Sequence, residues 1–91
     1  MKRKLRIADA GNVIVPAYLV LQQKGYQVRC ETKDSQETWF AENDTAELIA
    51  EDIVGLLGLV ALAECRGHDW KASDGEIDGF VQKFGYDTGP T

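Results

Sequence analysis

The sequence predicts a small α+β domain in the order α-β-β-β-α-α, with a three-stranded antiparallel meander packed on helices. Three observations predict it. From Ile53 through Ala63 the chain runs eleven residues without a polar side chain, the mark of a helix buried on most sides. Tyr26, Val28 and Cys30 alternate with Gln27, Arg29 and Glu31, the period-two pattern of a strand with one covered face. Ile77, Phe80, Val81 and Phe84 fall at the i, i+3, i+4, i+7 spacing of an amphipathic helix.

Taken in order, residues 1–8 mix basic and apolar positions and read as a frayed arm or the entry to the first helix. Asp9-Ala10-Gly11-Asn12 offers caps for a helix that runs to Lys24 and ends at Gly25. Pro16 suits a first turn but kinks a helix interior, so the helix either starts near Asn12 or bends at Pro16. A strand follows from Tyr26, and polar Thr32 to Gln36, with Asp34-Ser35, turns the chain. Glu37 to Glu42 resumes with strand-favouring Thr38, Trp39 and Phe40, and Asn43-Asp44 makes the next turn.

Thr45 to Glu51 reads two ways. Asp44 with Glu47 resembles a capping box that would start one long helix reaching Arg66. Alternatively, Ala46, Leu48 and Ala50 alternate with Glu47 and Glu51 as a third strand, which keeps the following helix to an ordinary length. The strand is the expectation, and connections this short allow only an antiparallel meander. Asp52 caps the central helix and Gly67 closes it, with Arg66 at the negative end of its dipole. Gly55 and Gly58 give that helix a flat spot for a close neighbour. His68 to Ala72 is a loop in which Trp70 is expected to plug the core's edge. Ser73 and Glu76 form a capping box for a last helix that Gly85 ends, and residues 86–91 read as a loose tail.

Ninety-one residues make a single domain, residues 1–91, near the small end of what folds unaided. The formal net charge is −5, yet Lys2, Arg3, Lys4 and Arg6 conceal how acidic the remainder is. From Glu31 onward fourteen carboxylates face four cations, a local net of −10. Such a surface is repelled by nucleic acid and by anionic membranes, and it suits a basic protein partner. Two cysteines are too few for a disulfide framework. Cys30 and Cys65 both sit in or beside apolar patterns, so buried thiols are expected, and with them a reducing, cytoplasmic setting. The basic start followed by Val13 to Leu21 imitates a signal peptide, but Asp9, Asn12 and Pro16 interrupt it and no small-residue cleavage site follows.

Chemistry is sparse. Cys65, His68 and Asp69 have the grammar of a thiol nucleophile with an oriented base, but without a neighbouring oxyanion loop. Two Cys and one His fall short of four zinc ligands. A calcium loop begun at Asp69 would place Lys71 at its third position and Asp74 where the turn needs Gly. No catalytic residue, cofactor or metal is therefore assigned.

Asp9-Ala10-Gly11, Pro16-Ala17, Gly25-Tyr26, Trp39, Leu56-Leu57-Gly58-Leu59-Val60 and Arg66-Gly67-His68-Asp69-Trp70 together resemble a group of short bacterial proteins without an assigned activity. Size and acidity are also similar to those of immunity proteins, which neutralise a toxin, and this is an analogy of size and charge only. The expected function is an acidic protein-binding module, immunity-like, that masks a basic partner. The expected contact residues are Trp39, Glu42, Asp44, Glu47 and Glu51, four acids within ten residues beside an aromatic. Two alternatives stand beside it: a regulatory or assembly subunit that forms a homodimer through a strand edge, and a Cys65/His68 thiol enzyme.

Overall fold

The computed structural model describes residues 3–85, so the tail expected at 86–91 lies outside the described residues. The order is the expected one. A 3-10 turn, Gly11–Val13, leads into helix α1 (Ile14–Gln23), strands β1 (Gln27–Lys33), β2 (Gln36–Glu42) and β3 (Glu47–Ala50), helix α2 (Ile53–Arg66), a second 3-10 turn Gly67–Asp69, and helix α3 (Asp74–Phe84). Pro16 falls in the first turn of α1, where its missing N–H costs nothing. Gly25, at φ 89°, closes α1, and the Gly25 N–H donates to the Gln22 carbonyl.

The three strands form one antiparallel sheet in the order β1-β2-β3. Lys33 pairs with Gln36, so the first hairpin has a two-residue loop, Asp34-Ser35, with both residues at positive φ (52° and 66°). That is the primed turn whose twist matches the strands, made by Asp and Ser without glycine. The second turn is held by Asn43, whose Oδ1 accepts from the Thr45 N–H at 2.9 Å, the Thr45 hydroxyl at 3.1 Å and the Ala46 N–H at 2.9 Å. Residues 47–50 are strand, so the capping-box alternative at Asp44 is not the one used.

The core is small. Ala17 and Leu21 of α1, Tyr26, Ala41 of β2, and Ile53, Leu56 and Val60 of α2 are the buried apolar residues. They meet where α1 and α2 cross the inner face of the sheet, with Val28, Trp39, Leu48 and Ala50 packed beside them. Asp52 caps α2 by accepting the Gly55 N–H at 2.5 Å. A Cβ on Gly55 would stand 3.0 Å from Asp52 Oδ1 and 3.3 Å from the Ala50 Cβ, so this glycine lets α2 start tightly against β3. Gly58 has open space around it and plays no such part.

Three expectations need correction. α2 is buried along one stripe rather than on most sides: Gly58, Ala61, Leu62 and Cys65 face outward because neither α3 nor any other described element lies over them. Cys30 and Cys65 are both exposed thiols, Cys30 on the edge strand β1 and Cys65 on the uncovered side of α2. Trp70 is 50% exposed and flanks the core's edge instead of plugging it.

Candidate functional site

Strand alternation sorts the expected contact residues between the two faces of the sheet. Ala41 is buried inward, so Trp39 shares the inner face and packs against the core. Phe40 and Glu42 point outward. In the register of β2 and β3, Phe40 faces Ile49 and Glu42 faces Glu47. Asp44 lies in the turn between these strands, and Glu51 lies past the end of β3 in the bend before α2. The structure therefore brings Glu42 and Glu47 together, sets Asp44 at the same end of the sheet, and separates Trp39 from them by the thickness of the sheet.

The outer face also holds a residue outside the expected set. Arg29 of β1 faces Phe40 in register, with its guanidinium 3.9 Å from the ring centroid. Arg29 also pairs with Glu31 and stands 4.0 Å from Glu47. An apolar pair, Phe40 and Ile49, is thus framed by carboxylates with one guanidinium among them. Like charges directly opposite on a sheet destabilise it, and Arg29 offsets that repulsion in part.

Past the edge of β3 the surface folds inward. Leu48, Ile49, Leu59, Leu62, Ala63 and Trp70 line an apolar groove of about 310 Å³ between β3 and α2, with Glu47 at its lip. Continuous with it is a polar hollow of about 540 Å³, walled by Tyr26, Asn43, Thr45, Glu47, Glu64 and His68, with Trp70 shared by both. Glu42 and Asp44 line a further shallow hollow beside Gly25 and Gln27. The result is an apolar trough that opens onto an acidic end, with the free edge of β3 along one side. Glu64 is bound to Lys24 at 3.0 Å, a bond that ties the end of α1 to the end of α2.

His68 and Cys65 are both exposed, one on the second 3-10 turn and one on the last turn of α2. Among the described residues His68 makes no hydrogen bond to Cys65 or Asp69. Among the described residues no group of three or more His, Cys, Asp or Glu could hold a metal ion, and no helix is long and apolar enough to cross a membrane.

Sequence reasoning missed Arg29, Ile49 and Trp70. The alternation did place Arg29 on the polar face of β1, but only the hairpin register brings it to Phe40 and Glu47. Ile49 breaks the alternation of 46–50, and that irregularity was the signal. Compared with family models, with curated proteins and with solved structures, the chain matches none.

Proposed function

We propose that this chain is a non-catalytic protein-binding module, an immunity-like inhibitor whose acidic sheet end masks a basic partner protein. The observation that carries the reading is the facing pair Glu42 and Glu47, of which Glu47 stands at the lip of an apolar trough. A cross-strand pair of like charges costs stability, and a cationic group from a partner removes that cost and is steered in by the field of the surrounding acids. The trough supplies what charge alone lacks: an aromatic wall at Trp70, aliphatic Leu59 and Leu62, and strand-edge N–H and C=O groups along β3. A segment that alternates basic and apolar side chains fits both halves. The reading puts the chain in the cytoplasm, because two exposed thiols suit a reducing compartment.

The test is an NMR titration of the labelled chain with a strand-length peptide alternating Lys and Val, and with its Glu and Val counterpart. The expected result is amide shifts concentrated in Glu42 to Ile49 and at Trp70 with the cationic peptide alone. Shifts scattered over the surface, or equal with the anionic peptide, contradict the reading.

A further inference from the structure

The trough beside β3 fits a segment that alternates basic and apolar side chains, and the chain carries one itself. Lys4-Leu5-Arg6-Ile7 has that alternation without a break. In an extended chain successive side chains point to opposite sides, so Lys4 and Arg6 share one side and Leu5 and Ile7 the other. The fold makes little use of either. Residues 3–9 belong to no helix or strand, and among the described residues they make no hydrogen bond or ion pair. Leu5 is 86% exposed, and Ile7, at the margin of an apolar groove beside Val54 and Leu57, is 73% exposed.

Strand β3 offers the complementary edge. Among the described residues it pairs with β2 alone, so alternate residues of Glu47–Ala50 turn their N–H and C=O groups away from the sheet. The two sides of a strand added there meet two different surfaces. Outward lie Glu47, which faces Glu42, and Ile49. Arg29 pairs with Glu31 and stands 4.0 Å from Glu47, which leaves the two facing carboxylates short of a cation. Inward lies Leu48, with Leu59, Leu62 and Trp70 across the trough. Lys4 and Arg6 suit the first surface and Leu5 and Ile7 the second, over the four residues that β3 contains.

The arm is badly placed for its own trough. It lies on the α1 side of α2, where Ile7 borders Val54 and Leu57, whereas the trough is on the β3 side, against Leu59, Leu62 and Ala63. Helix α2, about 10 Å across with its side chains, stands between the two. The residues from Arg3 to Ala8 reach ~20 Å at full extension, and crossing the helix consumes a large part of that. A second copy presents the same edge without the detour.

We propose that Lys4 to Ile7 of one copy adds as a fourth strand to the free edge of β3 in a second copy, with Lys4 and Arg6 beside Glu42 and Glu47 and with Leu5 and Ile7 in the trough. This rests on the reading of the trough as a capture site for a basic segment, and it names the chain's own arm as an occupant. Main-chain bonds hold a strand added in this way, and alternate side chains select it. Four residues make a small contact, below the ~1,200 Å² at which stable interfaces begin. Self-association is therefore weak. It covers an edge that would otherwise invite indiscriminate pairing, and it yields to a basic partner that fills the trough more fully.

Sedimentation equilibrium of the full chain at low salt tests this, with charge reversals at exposed positions on each side. The native chain is expected to self-associate with a dissociation constant on the order of 100 μM. Lys4→Glu with Arg6→Glu, and separately Glu42→Lys with Glu47→Lys, should each raise it roughly tenfold or more. Mixing the two double variants should restore association, because each arm then meets a trough of opposite charge. Isotope-filtered NMR of mixed copies should show the Leu5 and Ile7 methyls of one copy against Trp70 of the other. A native chain still monomeric at millimolar concentration overturns the proposal, as do reversals that leave association intact, a mixture that stays apart, or arm contacts confined to one copy. The Lys and Val peptide then separates the two readings. If a monomeric native chain still shifts from Glu42 to Ile49 with that peptide, only the assignment of the arm falls; if those amides do not move, the capture site falls with it.

Discussion

Glu42 and Glu47 stand opposite one another across β2 and β3, two carboxylates on the same sheet face with Arg29 4.0 Å from Glu47. In a fold with so small a core, such a pair is stability given up. Glu42→Lys turns it into an opposite-charge pair, and a cross-strand pair of that kind contributes roughly 0.2–1 kcal/mol. Urea unfolding of Glu42→Lys should therefore show a higher midpoint with an unchanged slope. A lower midpoint means that the two carboxylates are not felt as repulsive.

The two glycines of α2 should respond differently to alanine. Gly58→Ala meets open space and recovers up to about 1 kcal/mol of helix propensity. Gly55→Ala places its Cβ 3.0 Å from Asp52 Oδ1, the oxygen that caps the helix. Relief requires loosening that cap, at roughly 1 kcal/mol, so Gly55→Ala should melt below Gly58→Ala. Equal gains at both positions would mean that the start of α2 is not tight against β3.

Both thiols should be open to reagent in the native protein. Cys30 and Cys65 are exposed, and a thiol-disulfide reagent should titrate two thiols per chain without denaturant. One or no thiol reacting would show that something covers α2 or the end of the sheet in solution. If only Cys65 is protected, the uncovered side of α2 is an interface.

The pattern of the sequence reached the element order, the capping box at Ser73 and Glu76, and the choice of strand for 47–50, because each rests on local periodicity or local hydrogen bonds. What it could not reach depends on which surfaces meet. Eleven apolar residues look the same whether a helix is covered on one side or on all, and here Gly58, Leu62 and Cys65 lie on the exposed side. At the candidate site, Glu42, Asp44 and Glu47 were legible as an acidic cluster. Trp39 is close to them in sequence, but strand alternation puts it on the inner face. Arg29 enters only through the register set by the two-residue turn at Asp34-Ser35.

The attachment of α3 should depend on pH through Glu76. The Ser73 N–H bonded to its carboxylate, and then the Arg66 charge beside it, hold Glu76 below its usual pKa of 4.5. A carboxylate whose pKa is lowered on folding contributes stability that is fully present above the unfolded value and is lost as pH falls through the folded value. Amide protection in α3, taken against the intrinsic exchange rate at each pH, should thus fall on acidification from pH 4.5 downward. Glu76→Ala should show fast exchange at neutral pH and lose this step. If the native helix keeps its protection through that window, the tie between Arg66 and Glu76 does not hold α3 in place.

Capture of a basic partner by the acidic end of the sheet is read out best in association kinetics. The measurement is stopped-flow association of the Lys and Val peptide with the native chain and with the Glu42→Lys, Glu47→Lys double variant, at salt from about 0.05 to 0.5 M, across which screening shortens from beyond the size of the site to less than it. The native rate is expected to fall steeply with salt, and the variant, still folded, to associate slowly and almost independently of salt. A native rate that does not change with salt, or a folded double variant that associates as fast as the native chain, contradicts it.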